Sequence, residues 1–183
     1  DKIMFLKNRY SGIINGDIYI SQSDSNPFII TNLFIHNSRF DDFKYNKMVF
    51  QGSLKNKIIR VSKFIGNDDA SSFDISGFIE LNDNSKLSPY DNIQFIGSVS
   101  NFNISYLNRY LPWSFHVMGD VNSNISISGQ LNNIAFNIDP TIANPQFDKI
   151  IGNEIFGKVS YKNNRLYFAN LICKTNFGEY GIN

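Results

Sequence analysis

Asn124-Ile125-Ser126-Ile127-Ser128 alternates polar residues with isoleucine, and Asp17-Ile18-Tyr19-Ile20-Ser21 and Asn92-Ile93-Gln94-Phe95 follow the same period of two. A β-strand turns successive side chains to opposite faces, whereas a helix repeats every three to four residues. These stretches therefore predict strands that cover an apolar region with one face and meet water with the other.

Comparable runs recur along the chain, separated by turn-forming clusters such as Asn67-Asp68-Asp69 and Asn163-Asn164. The runs cover residues 28–35, 48–54, 57–64, 73–81, 97–104, 114–118, 134–139, 155–161 and 165–173. Short polar connections favour hairpins, because a parallel pair needs a crossover of about a dozen residues or more. We predict an all-β fold of roughly a dozen strands in an antiparallel meander.

The composition of the 183 residues favours strands over helices. Isoleucine and asparagine each occur 26 times and phenylalanine 17 times, against 4 alanines and 3 glutamates, so the best helix formers are scarce. The 17 basic and 16 acidic residues give a net charge of +1 and are scattered, without a basic stripe to follow a phosphate backbone. An all-α domain and a disordered chain are excluded, and we expect no nucleic-acid partner.

One segment departs from the period of two. Ile104, Leu107 and Leu111 recur at three to four residues, and Pro112 follows, where proline ends a helix. We predict one short helix of about two turns near residues 103–111. A helix of this length is unstable alone, so we expect it to cap an open end of the sheet through its leucine and tyrosine side chains.

The two halves of the chain resemble each other weakly. Gly16-Asp17-Ile18 and Asn37-Ser38-Arg39-Phe40-Asp41 correspond to Gly119-Asp120-Val121 and Asn144-Pro145-Gln146-Phe147-Asp148. Repetition at a fixed period is typical of arrays in which each unit packs on the next. We predict one β-rich segment over residues 1–183, part of a longer repeat protein, with units 10–102 and 113–183 joined by the helix.

The order of motifs in the second half resembles the repeating unit of the AsmA and TamB family. The motifs lie at residues 105–112, 118–121, 125–131, 144–148 and 157–166. In that family a short helix is followed by glycine-punctuated alternating strands, a turn with the pattern Asn-x-x-Phe-Asp, and a further hairpin. Residues 12–20, 26–28 and 40–41 repeat parts of the pattern in the first half.

This resemblance implies an antiparallel meander folded into a twisted, taco-like or half-pipe groove built from two weak repeats. It implies a periplasmic segment whose parent is anchored in the inner membrane of a diderm bacterium by a segment absent from this chain. The implied function is to carry phospholipids between the inner and outer membranes and to support outer-membrane biogenesis. The expected partners are phospholipid acyl chains, neighbouring repeats of the same parent chain, and an outer-membrane assembly protein.

The apolar members of the alternating runs are the candidates for lining such a groove. They are Ile18, Ile20, Phe73, Ile75, Ile93, Phe95, Ile125, Ile127, Phe136, Ile138, Val159 and Tyr161. The same alternation is compatible with an ordinary sandwich or barrel core that binds no ligand. The alternative function is then a structural or adhesive β-rich domain of the cell envelope.

Catalysis requires a nucleophile, a base or a metal set in a small space. His36 and His116 lie far apart in strand-like runs, and Cys173 is the one cysteine. A single cysteine also excludes an internal disulfide. We expect no enzyme activity, no cofactor and no metal site.

Overall fold

The computed structural model describes residues 10–23, 26–40, 43–82, 87–110 and 116–182. Strands make up 81% of these residues, which confirms the all-β prediction. In chain order the strands are β1 (Tyr10–Ser23), β2 (Asn26–Phe40), β3 (Phe43–Lys55), β4 (Ile58–Asn67), β5 (Ser72–Glu80), β6 (Asn92–Asn103), β7 (Val117–Gln130), β8 (Asn133–Phe147), β9 (Ile150–Ile151), β10 (Glu154–Lys162), β11 (Arg165–Thr175) and β12 (Gly178–Ile182).

All strands belong to one antiparallel sheet in which each pairs with the next along the chain. The exception is β9, a two-residue strand that pairs only with the end of β8, so that β10 is the next full neighbour of β8. The sheet is open, with β1 at one edge and β12 at the other. The predicted meander is confirmed. The predicted runs 92–95 and 97–104 form the single strand β6, and the run at 114–118 is a strand from Val117 onward in the described residues.

The connections between strands lie alternately at the two ends of the strands. We call these two borders of the sheet the tight-turn rim and the helix rim. The tight-turn rim holds two-residue turns at Asn56-Lys57, Leu131-Asn132 and Asn163-Asn164, together with the longer β5–β6 connection. Asn56, Lys57, Asn163 and Asn164 have φ between 50° and 64°. Two successive positive φ angles define the type I′ turn, whose twist matches that of the paired strands. The helix rim holds the β4–β5, β6–β7, β8–β10 and β11–β12 connections.

Three hairpins contain the same irregularity, in which one glycine faces two residues of the neighbouring strand. Each glycine has φ between 137° and 156°, and the first residue opposite it is an asparagine with φ near 50°. The pairs are Gly12 with Asn37, Gly119 with Asn144, and Gly157 with Asn170. An extra residue of this kind bends a strand and increases its twist. Asn37 and Asn144 are matched in the predicted repeat, but the glycine opposite Asn37 is Gly12, whereas the sequence comparison aligned Gly16 with Gly119. The boundaries of the repeats stay a prediction.

The connection between β6 and β7 contains the predicted short helix, at Ile104–Tyr110, and it is a 3₁₀ helix. Short connecting helices favour this tighter form. The side-chain oxygen of Asn103 accepts hydrogen bonds from the backbone N–H and the hydroxyl of Ser105 at the start of the helix. The Asn108 amide bonds both the backbone N–H and the carbonyl of Val117, each at 2.9 Å, and so fixes the helix to β7. The side chains of Leu107 and Leu111 and the stop at Pro112 lie outside the described residues.

The sheet forms a single layer. Extensive contacts join only strands that are neighbours in the sheet, and the helix packs on β7. The buried apolar side chains among the described residues are Leu81, Ile93, Val117, Val121 and Ile155, together with Pro140 and Pro145. A closed sandwich of this length would bury many more. Most of the large apolar side chains therefore do not form a closed core.

Candidate hydrophobic groove

Cross-strand pairing aligns the apolar residues into rows that cross the sheet at right angles to the strands. Row 1 is Ile20, Ile29, Leu54, Ile59, Ile79, Ile93, Gly129 and Ile134. Row 2 is Ile18, Thr31, Gly52, Val61, Gly77, Phe95, Ile127, Phe136, Tyr161 and Leu166. Row 3 is Gly16, Leu33, Phe50, Phe64, Ile75, Gly97, Ile125, Ile138, Val159 and Phe168. Row 4 is Ile14, Ile35, Met48, Gly66, Phe73, Val99, Ser123 and Pro140.

All twelve predicted lining residues fall in these four rows and therefore on one face of the sheet. Ile93 is buried, Ile18 and Ile20 on edge strand β1 are 60% and 68% exposed, and the other nine are half-buried. Rows 2 and 3 each cross ten strands, a path of roughly 43 Å at the usual strand spacing. No residue in the four rows is charged. The residues predicted from alternation on β1, β5, β6, β7, β8 and β10 thus share one face of the sheet.

The prediction omitted the lining contributed by β2, β3 and β4, of which Leu33, Phe50 and Phe64 in row 3 are examples. In these strands apolar residues occupy both parities, as in Phe28-Ile29-Ile30 and Leu33-Phe34-Ile35. Alternation alone does not assign a face to such runs. Only their pairing with strands of known orientation does.

Glycines on the apolar face leave room for the side chains of the adjacent strand. A Cβ atom on Gly66 would lie 2.3 Å from the Phe73 ring, and one on Gly77 would lie 2.6 Å from the Phe95 ring. On Gly52 it would lie 2.9 Å from the ring of Phe50 on the same strand. The rings therefore occupy the space that a side chain at these glycine positions would fill.

The apolar face is concave toward the helix rim. The rings of Tyr45 on β3 and Phe73 on β5 meet with centroids 5.0 Å apart, although a flat sheet would place these strands roughly 10 Å from each other. Tyr106 of the 3₁₀ helix packs against Phe43, with ring centroids 5.2 Å apart. This contact of Tyr106 agrees with the predicted capping of the sheet by the helix, and the leucine side chains of that prediction lie outside the described residues. We refer to the apolar face, which curves inward at the helix rim, as the groove.

One part of the groove lies beside the 3₁₀ helix. It is a concavity of about 390 Å³ lined by Val99, Phe102, Ile104, Val121, Ser123, Ile125, Ile138, Pro140, Ile142 and Val159. Its one hydroxyl, that of Ser123, donates to the backbone carbonyl of Asn124. The lining therefore offers hydrocarbon without a free hydrogen-bonding side chain.

Two titratable groups near the helix rim have shifted pKa values. Burial raises the pKa of the Tyr45 hydroxyl above its usual 10.0, and the charge of Asp68 and the proximity of Tyr106 add to the rise. Burial also acts to raise the pKa of Asp68. Hydrogen bonds from the backbone N–H groups of Ser71 and Ala70 and from the Ser71 hydroxyl outweigh it, so the pKa falls below 3.8. The β4–β5 turn therefore holds an ionised carboxylate near the edge of the groove.

The opposite face of the sheet carries the charged residues of the strands. One of its rows is Asp74, Ser98, Asn124 and Asp139, which line a concavity of about 520 Å³. This face is less uniformly polar than the alternation predicts, because Ile30 and Phe34 on β2 are 44% and 46% exposed there. Both residues belong to the runs whose parity is ambiguous.

Asp91 is a residue that the sequence analysis did not identify. It lies at the tight-turn rim, its exposure is 0%, and its carboxylate accepts backbone hydrogen bonds from Asn82 at 2.8 Å and Ser88 at 2.7 Å. Its own carbonyl accepts a bond from the N–H of Leu131 in the β7–β8 turn. Asp91 thus ties two connections of this rim together. The sequence around Asp91 and Asn92 contains no motif that predicts the burial or the hydrogen bonds of Asp91.

The remaining reactive side chains are not brought together. His36 is exposed on β2, and the His116 ring lies 3.9 Å from Asp148 at the exposed helix rim. Cys173 is a free, half-buried thiol on β11. Among the described residues no group of three or more His, Cys, Asp or Glu side chains is placed to hold a metal ion.

The fold and the site define a class of protein, a single-layer antiparallel sheet with one uncharged apolar face that forms an open groove. No family model matches the chain, and neither a curated protein nor a solved structure matches it. The resemblance to the AsmA and TamB repeats consequently stays a prediction. In the part of the chain that is described, no helix has the length and hydropathy to span a membrane.

Proposed function

We propose that this chain is a segment of a periplasm-spanning hydrophobic groove that carries phospholipids between the inner and outer membranes and supports outer-membrane biogenesis. The observation that supports the proposal most is the continuity of rows 2 and 3 across ten strands without a charged residue. A soluble protein rarely leaves so large an apolar surface uncovered unless it binds a partner.

Acyl chains suit this surface for two physical reasons. Each methylene removed from water contributes about 0.8 kcal/mol, and the half-buried isoleucine, valine and phenylalanine side chains supply the hydrocarbon surroundings. Rows 1 to 4 contain only three polar side chains, those of Thr31, Ser123 and Tyr161, and the hydroxyls of Ser123 and Tyr161 are already hydrogen bonded, so little holds a chain in one register. Lipid can therefore slide along the rows at small cost. Neighbouring repeats of the parent chain would extend the rows at the edges, where Ile18 and Phe168 are exposed.

The test compares substitutions on adjacent residues that point to opposite faces. Ile127→Asp and Phe95→Asp place a carboxylate in row 2, whereas Ser126→Asp and Gln94→Glu place one on the opposite face. The purified chain is mixed with vesicles that contain a fluorescent phospholipid, and bound lipid is measured after the vesicles are removed. Lipid that co-purifies with the unmodified chain is identified by mass spectrometry.

We expect lipid capture to be lost in the groove variants and retained in the variants of the opposite face, because a charge in hydrocarbon costs several kcal/mol unless it is paired. Circular dichroism and urea unfolding establish that each variant is folded, and Ile127→Asn replaces the carboxylate variant if that one is not. Equal capture by all variants, or no lipid bound to the unmodified chain, would contradict the proposal. A structural or adhesive envelope domain would then be the better account.

A further inference from the structure

The charges of the described strands and turns lie outside the groove, which restricts where a lipid phosphate can sit. A phosphodiester cannot enter rows 1 to 4 without losing its hydration, because no cation lies there. It must therefore remain at one of the two rims. The inference that follows rests on the proposed function and extends it to the orientation of the lipid.

The two rims differ in charge. The tight-turn rim carries Lys55 and Lys57 at one type I′ turn and Lys162 and Arg165 at another. Its described carboxylates are Glu80 at the end of β5 and Asp91, which is buried and accepts two backbone hydrogen bonds. The helix rim is mixed, since Asp68, Asp69 and Asp148 lie there together with Arg39, Lys44, Lys47, Lys149 and Lys174, and Lys174 pairs with Glu154 at 3.2 Å. The helix and the aromatic side chains also narrow the groove on that side. Among the described residues the cations outnumber the carboxylates at the tight-turn rim, whereas the two are nearly balanced at the helix rim, so a negatively charged group is attracted more strongly to the tight-turn rim.

Three cations of the tight-turn rim, those of Lys57, Lys162 and Arg165, are available to a ligand, whereas the Lys55 ammonium lies over the Phe28 ring. Among the described residues no carboxylate forms an ion pair with Lys162 or Arg165, which face each other across the turn. The Lys57 ammonium donates to the backbone carbonyl of Asn82 at 3.2 Å and retains further hydrogens for donation. Lys162 and Arg165 start on the polar face, but as the last strand residues before the turn they reach the rim with their flexible stems.

We propose that the tight-turn rim is the headgroup side of the groove, where phosphodiester groups of phospholipids lie near Lys57 and Arg165 while the tails cover the apolar rows. The two basic turns are six strand spacings apart, roughly 29 Å. Between them lie the β5–β6 connection, whose Asp91 carboxylate is buried, and the β7–β8 turn, which presents the neutral residues Gln130, Asn132 and Asn133. Exposed ion pairs contribute at most about 1 kcal/mol each, so this rim orients a lipid without trapping it.

The experiment uses two double variants with the same change in net charge on the same two hairpins. Lys57→Glu with Arg165→Glu reverses the rim charges. Lys63→Glu with Lys158→Glu reverses two exposed charges in the middle of β4 and β10, on the face opposite the groove. Each purified protein is offered vesicles containing fluorescent phosphatidylglycerol or fluorescent diacylglycerol, which has the same tails but no phosphate. Sodium phosphate is added at constant ionic strength in a separate arm.

We expect the rim variant to capture phosphatidylglycerol roughly three- to tenfold less than the unmodified chain, with unchanged capture of diacylglycerol. The control variant should capture both as the unmodified chain does, and free phosphate should not compete. Three results would overturn the headgroup assignment: equal loss of phosphatidylglycerol capture in both variants, no loss in the rim variant, or competition by free phosphate. If the proteins still capture diacylglycerol, the proposed function of the groove stands. Failure of the unmodified chain to capture either lipid would overturn both proposals.

Discussion

The ring of Phe43 on β3 stacks on the ring of Phe102 on β6, with centroids 5.7 Å apart and an interplanar angle of 19°. Strands β4 and β5 lie between them, and three spacings of a flat sheet would separate these residues by roughly 14 Å. The sheet therefore curls toward its apolar face at the helix rim. This contact, joined by Tyr106 of the helix, makes a surface that would otherwise be flat into a groove.

Removing the Phe43 ring tests the importance of this closure. We expect Phe43→Ala to lower the free energy of unfolding by roughly 2 to 3 kcal/mol, because a half-buried aromatic side chain loses its ring contacts with Phe102 and Tyr106. Urea unfolding followed by circular dichroism measures the change. Phe177→Ala is the control, since that ring is 93% exposed and its removal should change stability little. Equal effects of the two changes would contradict the closure.

The glycines beneath the aromatic side chains give a second prediction. A Cβ on Gly77 would lie 2.2 Å from the carbonyl oxygen of Gln94 and 2.7 Å from the Cα of Phe95, both of which are backbone atoms. We expect Gly77→Ala to destabilise the sheet by roughly 2 kcal/mol or more, because β5 and β6 must separate locally. In Gly181→Ala the new Cβ would lie 4.0 Å from its nearest neighbour, the carbonyl oxygen of Leu171. Thermal denaturation should therefore detect no comparable fall in the melting temperature. A stable Gly77→Ala protein would show that the strands do not approach so closely.

Asp91 provides a third prediction. In Asp91→Ala the backbone N–H groups of Asn82 and Ser88 lose their acceptor, and we expect a loss of roughly 2 to 4 kcal/mol in the free energy of unfolding. Asp74→Ala is the matched control, because Asp74 is exposed and no hydrogen bond to its side chain occurs among the described residues. Its effect should stay within about 0.5 kcal/mol. Chemical denaturation measures the free energy of unfolding of both variants. Similar unfolding midpoints would refute the stabilising role of Asp91.

The lowered pKa of Asp68 predicts a dependence of stability on acidity. The folded pKa lies below the unfolded value, so the stabilisation is fully present above about pH 4 and is lost as the pH falls through the folded pKa. Asp68→Asn removes this titration. Its unfolding midpoint should therefore decline less between pH 5 and pH 2 than that of the unmodified chain, while remaining lower at neutral pH. Parallel curves for the two proteins would argue against the hydrogen-bonded carboxylate.

The sequence by itself determined the class of fold and most of the groove. Alternation in stretches such as residues 124–128 assigns each side chain to a face whichever strand lies next to it, because that assignment depends only on the two-residue period of a strand. Paired asparagines with positive φ, as at Asn163 and Asn164, likewise define their hairpin locally. For this reason the twelve lining residues could be named without knowledge of the pairing.

Only the tertiary structure decided the features that depend on several strands at once. The register aligns Phe95, Ile127 and Phe136 into one row, and pairing alone orients β2 to β4, where apolar residues occupy both parities. The curvature that brings Phe43 to Phe102 accumulates from twist and bulges over successive strands. Burial of Asp91 results from two connections that are distant in sequence. Local patterns contain no information on such distances, because they arise from how neighbouring strands stack and bend.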